Sequence, residues 1–455
     1  MSFAGIRTDS RLREIDRTCL TLRLRKDIIP SPGAFITHCL SFEDLAHGQC
    51  EYQAARTLHD LFNTPDTLSL GYNSLGFDDE FLRFLFYRNL LEPYTHQYAN
   101  GCFRADILPV AALYKRFSTE SAIQWPCLDN GRPTLKLEHI AGKNQFETSG
   151  PAHDALADVE ALVALCKRFA LQSDMWAYAL GFFDKQTDLK RVETIPETCR
   201  IQDRFFRNAL MVSSSFGPDA GYLAPVLHIG GAIPYPNQQL WVRLDRPECK
   251  DIDPDTGQFN WFPVRKKPAD QWLVLPALER FTDRLTETAR KTAGDVIAEF
   301  RKNISVFLDT IQIHRAYAYP EIPDMDPDAA LYQDGFFTVS EKKDIARFHA
   351  AAPFENADLS TLSKVVASLR TPRVKTLAAR ILSRNYQLPA TPEFKAHLEK
   401  LSSGGKILGF RGEEKVTLPH AVESLATLKT EQETMTLRQH RALQEIDAYL
   451  REWKQ

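Results

Sequence analysis

Residues 67–80 read Thr67-Leu68-Ser69-Leu70-Gly71-Tyr72-Asn73-Ser74-Leu75-Gly76-Phe77-Asp78-Asp79-Glu80. The first six form a short, mostly apolar run of the kind a buried strand needs, and Gly with Asn then signals a turn. Asp78, Asp79 and Glu80 open a helix predicted over 78–91, where the macrodipole and unpaired N–H groups favour acids. Capping alone accounts for an acid at this point. The strand–turn–helix order adds something else, since it sets Asp78 at the carboxyl edge of a sheet, where open α/β folds hold their ligands.

Working outward, residues 3–8 and 19–24 read as two strands of an antiparallel hairpin, joined by a polar turn over 9–16. Residues 43–62 carry helical spacing up to Asn63-Thr64-Pro65. After a turn at Asn130-Gly131-Arg132-Pro133, helices are predicted over 135–141 and 154–171. Strands mixed with helices in this order specify an α/β domain. The character changes over 189–323, where Val, Ile, Tyr and Trp runs at 222–229, 240–244 and 258–264 are broken by Gly and Pro. That region predicts a small β-rich domain with a helical excursion over 277–310. From Pro327 onward the spacing is helical, closing with residues 425–453. The expected domains are 1–173, 174–325 and 326–455.

The chain has 455 residues, 44% hydrophobic and 25% charged, which excludes a disordered or fibrous protein. A net charge of -3 gives no overall attraction to nucleic acid or membrane, so any basic surface must be local. No stretch reaches the roughly 18 apolar residues of a membrane span, and Arg7 and Asp9 interrupt any leader; a soluble cytoplasmic protein without a membrane partner is expected. The eight cysteines (Cys19, Cys39, Cys50, Cys102, Cys127, Cys166, Cys199, Cys249) contain no CxxC pair and read as buried thiols.

The helix at 154–171 carries two adjoining stripes, Leu156, Val159, Val163, Cys166, Ala170 and Ala155, Asp158, Leu162, Leu165, Phe169. Asp158 thereby takes a core-facing position. A carboxylate there needs an arginine, backbone donors or a metal ion, because an unpaired buried charge is costly. His153, just before the helix, is by itself a cap or surface residue.

Taken together, Asn73 with Phe77-Asp78, then His153 and Asp158, resemble the second and third motifs of the DEDDh exonucleases. Gly71-Tyr72-Asn73, Phe77-Asp78-Asp79-Glu80, Phe86-Tyr87-Arg88-Asn89, Pro93-Tyr94, Leu137-Glu138-His139, His153-Asp154-Ala155 and Gly335-Phe336-Phe337 resemble, in one order, the bacterial exodeoxyribonuclease I family. The resemblance covers nearly the whole chain and is looser in the middle. It implies a ribonuclease H-like exonuclease domain, an SH3-like β-rich domain and a helical C-terminal domain around a groove for single-stranded DNA. The implied reaction is 3′-to-5′ removal of nucleotides with two Mg²⁺ ions, in DNA repair and recombination, by a monomer whose partner is single-stranded DNA-binding protein. Carried over by position, Asp158 is a direct metal ligand, Asp78 holds the second ion and His153 is the general base. Arg83 and Lys136 fall at basic substrate contacts, where Lys136 departs from the usual Arg and loses its bidentate fork. Tyr94 and Tyr98 would stack on bases or pack as rim residues, and Phe259, Trp261, Phe262, Arg265, Lys266 and Lys267 interleave rings and charges as a single-strand groove would.

The family's first motif, Asp-x-Glu on the opening strand, has no counterpart here; Glu14-Ile15-Asp16 has the reverse order and lies in a turn. The ribonuclease H-like domain is thus expected to be N-terminally incomplete, through a start codon assigned too far downstream or a truncation. Its sheet would then lack a central strand, and the chain as written would hydrolyse DNA feebly or not at all. The competing expectations are a catalytically impaired relative that binds single-stranded DNA or a repair partner, and a proofreading or RNA-trimming exonuclease, which would lack the two extra domains.

Overall fold

In the computed structural model, residues 2–38, 41–119, 123–150, 155–352, 358–386, 391–431 and 435–453 are described. The expected hairpin forms from β1 (Ser2–Thr8) and β2 (Glu14–Thr21), with Ala4 opposite Cys19. Its turn is tighter than expected because the Asp9 carboxylate accepts the N–H groups of Arg11 and Arg13, both at 2.9 Å. The single helix expected over 43–62 is instead two, Phe42–Ala46 and Glu51–Phe62. Between them the Gln49 N–H donates to Thr21 O and the Arg23 N–H to Gln49 O, each at 2.8 Å. Tethering to the end of β2 outweighs helical periodicity there, and a Cβ on Gly48 would lie 2.7 Å from Thr21 O.

The decisive unit folds as read. β3 (Leu68–Gly71) runs parallel to β4 (Phe103–Asp106), with Gly71 level with Asp106, and the helix Asp78–Arg88 lies on the connection between them. The β1–β2 hairpin and the β3–β4 pair are separate two-stranded sheets with no ladder between them. The helix Ala155–Ala170 packs against β1. Its Leu165, Cys166 and Phe169 share a core with Val110, Leu113 and Tyr114 of the helix Ile107–Phe117. The Tyr114 and Phe169 rings stack at 4.1 Å.

After a short hairpin, β5 (Cys199–Ile201) with β6 (Arg204–Phe206), comes a five-stranded antiparallel half-barrel. Its strands are β7 (Asn208–Val212), β8 (Leu223–Gly231), β9 (Gln239–Arg243), β10 (Val264–Lys266) and β11 (Leu273–Pro276), in the order β10-β9-β8-β7-β11. Phe300 and Phe307, from the helices Glu287–Lys302 and Ile304–Ala316, share a core with its Leu227, Ile229, Leu240 and Val242. The strand expected over 258–264 does not form before Val264. Phe259 and Trp261 instead bury their rings against Phe300, at 4.9 and 5.1 Å, and that burial outweighs ladder pairing.

The helical remainder grips the first unit. Tyr52, Phe84 and Tyr87 share a core with Phe348, Leu377 and Ile381, while Phe35, Ile36 and Leu45 pack with Leu425, Ile446 and Leu450. A buried ion network crosses the same junction. Arg384 pairs with Asp27 at 2.7 Å and with Asp328, and Arg25 reaches Asp27 at 2.8 Å and Asp328 at 3.0 Å. Cys50, Cys102, Cys166 and Cys249 are buried as expected, but Cys199 is half-buried on a short edge hairpin, and Cys19 and Cys127 are exposed, on a two-stranded hairpin and in a surface loop; Cys39 lies outside the described residues. Among the described residues no helix is long and apolar enough to cross a membrane.

Candidate active site and nucleic-acid interface

The turn that presents Asp78 is held from below. Asn73 sits in the left-handed region at φ 60°, which asparagine tolerates, and a Cβ on Gly71 would fall 2.3 Å from Ser74 Cβ. Asp106, at the carboxyl end of β4, points its side chain into this turn. Its Oδ1 accepts the N–H groups of Asn73 at 2.8 Å and Leu108 at 3.0 Å, and its Oδ2 that of Leu75 at 3.2 Å. Burial pushes the Asp106 carboxyl up to about 6; the three N–H donors oppose the shift and the nearby Asp78 charge adds to it. Asp106 was missed by sequence reasoning. Its signal was present, for it too is an acid between a strand and a helix.

Asp78 is the first residue of its helix, and the N-cap is Phe77, so the capping reading does not describe its side chain. The residue is exposed at the surface, yet its carboxyl is raised by partial desolvation and then by the charge of Asp79. Among the described residues no cation pairs with it. Asp79, one position on, is the opposite case: buried, ion-paired with Arg83, 3.2 Å from Arg104 Nε and 3.3 Å from His96 Nε2. Burial would raise its carboxyl, but His96 and the charges of Arg104 and Arg83 outweigh burial and hold it below the usual range. Adjacent acids are thus sorted into one held by ion pairs and one that no cation among the described residues meets.

Asp158 lies half-buried in the first turn of the helix Ala155–Ala170, whose Leu162, Leu165 and Phe169 are buried as the stripe requires. His153 lies outside the described residues. Among the described residues no group of three or more His, Cys, Asp or Glu side chains is placed to hold a metal ion.

The surrounding surface mixes rings and cations. Arg83 is turned toward Asp79, lies 5.6 Å from the Tyr94 ring and donates to the Tyr332 hydroxyl at 3.3 Å. Tyr94 is half-buried against Phe336 at 5.2 Å. Tyr98 is 56% exposed, with the Lys185 ammonium 5.3 Å from its ring, and Phe77 is 69% exposed beside Asp78. Lys136 is exposed, 3.5 Å from Glu138. In the segment 259–267, Phe259, Trp261 and Lys266 turn inward, the last onto Asp188 at 2.6 Å, so three of the six expected groove residues are interior. Phe262 and Lys267 stay exposed and Arg265 half-buried. Lys185 and Arg104 were missed by sequence reasoning because nothing local links them to Asp78.

No family model matches the chain. Among curated proteins it is 40% identical over 360 residues to exodeoxyribonuclease I of Escherichia coli K12, covering 75% of this chain and 73% of that protein. It is 29% identical over 243 residues to exodeoxyribonuclease I of Haemophilus influenzae, covering 53% and 46%. Among solved structures, E. coli exonuclease I in complex with a dA16 oligonucleotide superposes with a TM-score of 0.79 at 23% identity, over 99% of this chain and 95% of that one. A moderately thermophilic exonuclease I from Methylocaldum szegediense gives 0.78 at 22% identity, over 100% and 95%.

Proposed function

The chain belongs to the exodeoxyribonuclease I family of hydrolytic nucleases, with a ribonuclease H-like unit, an SH3-like half-barrel and a helical unit, and on that premise we propose that it removes nucleotides from the 3′ end of single-stranded DNA. The observation that carries this reading is the contrast between Asp78 and Asp79 at the carboxyl edge of β3. One acid is locked by two arginines; its neighbour is exposed, raised and without a cation among the described residues. An accessible carboxylate without a cation partner suits a hard divalent cation such as Mg²⁺, which takes oxygen ligands.

Asp78 and Asp158 would hold two such ions, which when bound neutralise charge on the attacking and leaving oxygens of the phosphodiester. A ring nitrogen of His153 would take the proton of the attacking water. Asp106 fixes the turn on which Asp78 rides. Tyr98 and Phe77 offer base-stacking faces, while Lys185 and Lys136 offer charge to phosphates. Tyr94 and Arg83 support this wall from behind, the ring under the guanidinium. Solved E. coli exonuclease I complexes with dA16 and dT13 support a single-stranded ligand in the corresponding groove. The same reading places the chain as a cytoplasmic monomer in DNA repair and recombination, with single-stranded DNA-binding protein docking through its acidic tail.

The test is a 5′-labelled oligothymidylate incubated with the protein and Mg²⁺, alongside binding of the same oligomer in EDTA. A descending ladder that stops in EDTA supports the proposal, even if slow. Binding without any ladder assigns the chain to the binding-only class, and neither binding nor ladder overturns the reading.

A further inference from the structure

The helical unit extends one narrow hairpin toward the first unit. Residues 407–415 fold back on themselves, with the Gly409 N–H donating to Glu413 O at 2.8 Å and the Lys415 N–H to Ile407 O at 2.9 Å. Gly412 closes the tip at φ 79°, a left-handed conformation that glycine takes without a Cβ penalty. The base is anchored, since Ile407 is buried among the helices and the Asp326 N–H donates to Leu408 O at 3.1 Å. Two tip residues, Phe410 and Arg411, reach the helix Asp78–Arg88. The Phe410 ring stacks on Phe84 at 4.6 Å and meets Tyr332 edge to face at 5.6 Å. Arg411 pairs with Glu80 Oε2 at 2.7 Å, its guanidinium 4.9 Å from the Phe410 ring.

Glu80 is thereby held at both oxygens by the helical unit, because its Oε1 accepts the Tyr332 hydroxyl at 3.2 Å. Tyr332 in turn accepts from Arg83, the arginine that pairs with Asp79. Of the three acids that open this helix, the second and third are fixed, and Asp78 rides on the turn they brace. That turn is closed by the Asp79 N–H donating to Ser74 O and the Phe81 N–H to Phe77 O, each at 2.9 Å. Its N-cap is Phe77, which offers no side-chain acceptor, so the turn is prone to fray unless tertiary contacts order it. An ion pair with Arg411 67% and Glu80 23% exposed adds little to the stability of the whole fold. Its effect is local, on an uncapped first turn whose carboxylate must be placed to within about 1 Å to act on a bound strand.

We propose that Arg411, seated by the stacking of Phe410 on Phe84, is a positioning residue for Asp78: through Glu80 it takes over from a helix cap and holds the first turn in place. This rests on the single-strand reading above and adds to it a dependence of the site on the hairpin of the helical unit. Loss of the brace slows turnover and leaves affinity for DNA unaltered, because Arg411 acts on the helix and not on the strand.

The experiment compares the wild-type full chain with Arg411→Ala, Arg411→Lys, Glu80→Gln and the double variant Arg411→Ala/Glu80→Gln. Hydrogen exchange over residues 77–84 and binding of a 5′-labelled oligothymidylate are measured in EDTA, and shortening of the same oligomer with Mg²⁺. The expected result for Arg411→Ala is exchange over 77–84 about 10-fold faster and kcat about 10-fold lower, with KM and melting temperature unaltered. Arg411→Lys, which keeps a cation for Glu80, retains wild-type exchange and kcat. The double variant is no worse than Arg411→Ala, since both residues act through one contact. Unchanged exchange over 77–84 overturns the proposal, as does faster exchange without loss of kcat in an active protein. A lower melting temperature with faster exchange throughout marks a packing role alone and overturns it too. Weaker oligomer binding by Arg411→Ala overturns it by placing the guanidinium on DNA. If the wild type does not shorten the oligomer, the proposed function falls, and local exchange by itself decides whether Arg411 holds the turn.

Discussion

Asp106 Oδ1 accepts the backbone N–H of Asn73 at 2.8 Å, so the end of β4 shapes the turn that leaves β3. Asp106→Ala leaves the N–H groups of Asn73 and Leu75 without their acceptor, at about 1–3 kcal/mol for each that stays buried. Asp106→Asn keeps Oδ1 for Asn73 and Leu108 but turns an amide toward the Leu75 N–H. Urea denaturation should therefore rank wild type above the asparagine variant and that above the alanine variant. An alanine variant as stable as wild type would remove Asp106 from this role.

The same carboxyl makes a pH prediction. It takes up its proton at about 6 when folded, against 3.8 as the reference value. Between those values the folded state holds more protons than the unfolded state, so this residue's contribution to stability falls as pH rises from about 4 to about 6. A rise from 3.8 to about 6 corresponds to about 3 kcal/mol. Denaturation midpoints of wild type and Asp106→Asn measured across that window should converge as pH rises; parallel curves would refute the shift.

Asp78→Asn and Asp79→Asn should part company. The first removes an exposed carboxylate without a cation partner among the described residues, so stability holds while Mg²⁺-dependent shortening of DNA falls about 100-fold or more. The second strips Arg83 and Arg104 of their shared carboxylate and should cost about 3–5 kcal/mol. Melting temperature and ladder assays on both variants test this, and equal melting temperatures would contradict it.

Acid should loosen the junction between the first unit and the helical remainder. Burial would raise Glu51, but Arg25 and Arg88 outweigh it and bring its carboxyl down to about 2, against 4.5 as the reference value. Its contribution is thus complete above pH 4.5 and fades as pH falls toward 2. Arg384→Ala leaves Asp27 and Asp328 partly unpaired in the same network and should cost about 3–5 kcal/mol at neutral pH. Thermal melts at pH 7, 4 and 3 would show it, and a variant with wild-type melts at pH 7 would count against the network.

Tyr98→Ala should weaken single-stranded DNA binding about 10-fold with no change in melting temperature, since the ring is largely in water. Lys185→Ala, removing the cation over that ring, should lower the salt dependence of binding by about one counterion. Unaltered anisotropy titrations would remove both from the groove.

Local chemistry in the sequence was enough to place the hairpin, the strand–turn–helix unit and Asp78 at its sheet edge, because periodicity and turn residues act over a few neighbours. The order of short motifs likewise placed the chain in its family. Only the tertiary structure separated Asp78 from Asp79, since the arginine and histidine that lock Asp79 arrive from Arg104 and His96 on other segments. It alone broke the helix at Gly48-Gln49, turned Phe259, Trp261 and Lys266 inward, and set Phe410 on Phe84 and Arg411 on Glu80. Those outcomes depend on contacts between residues distant along the chain, where burial and ion pairing are decided by what the fold brings alongside and local propensity is overruled.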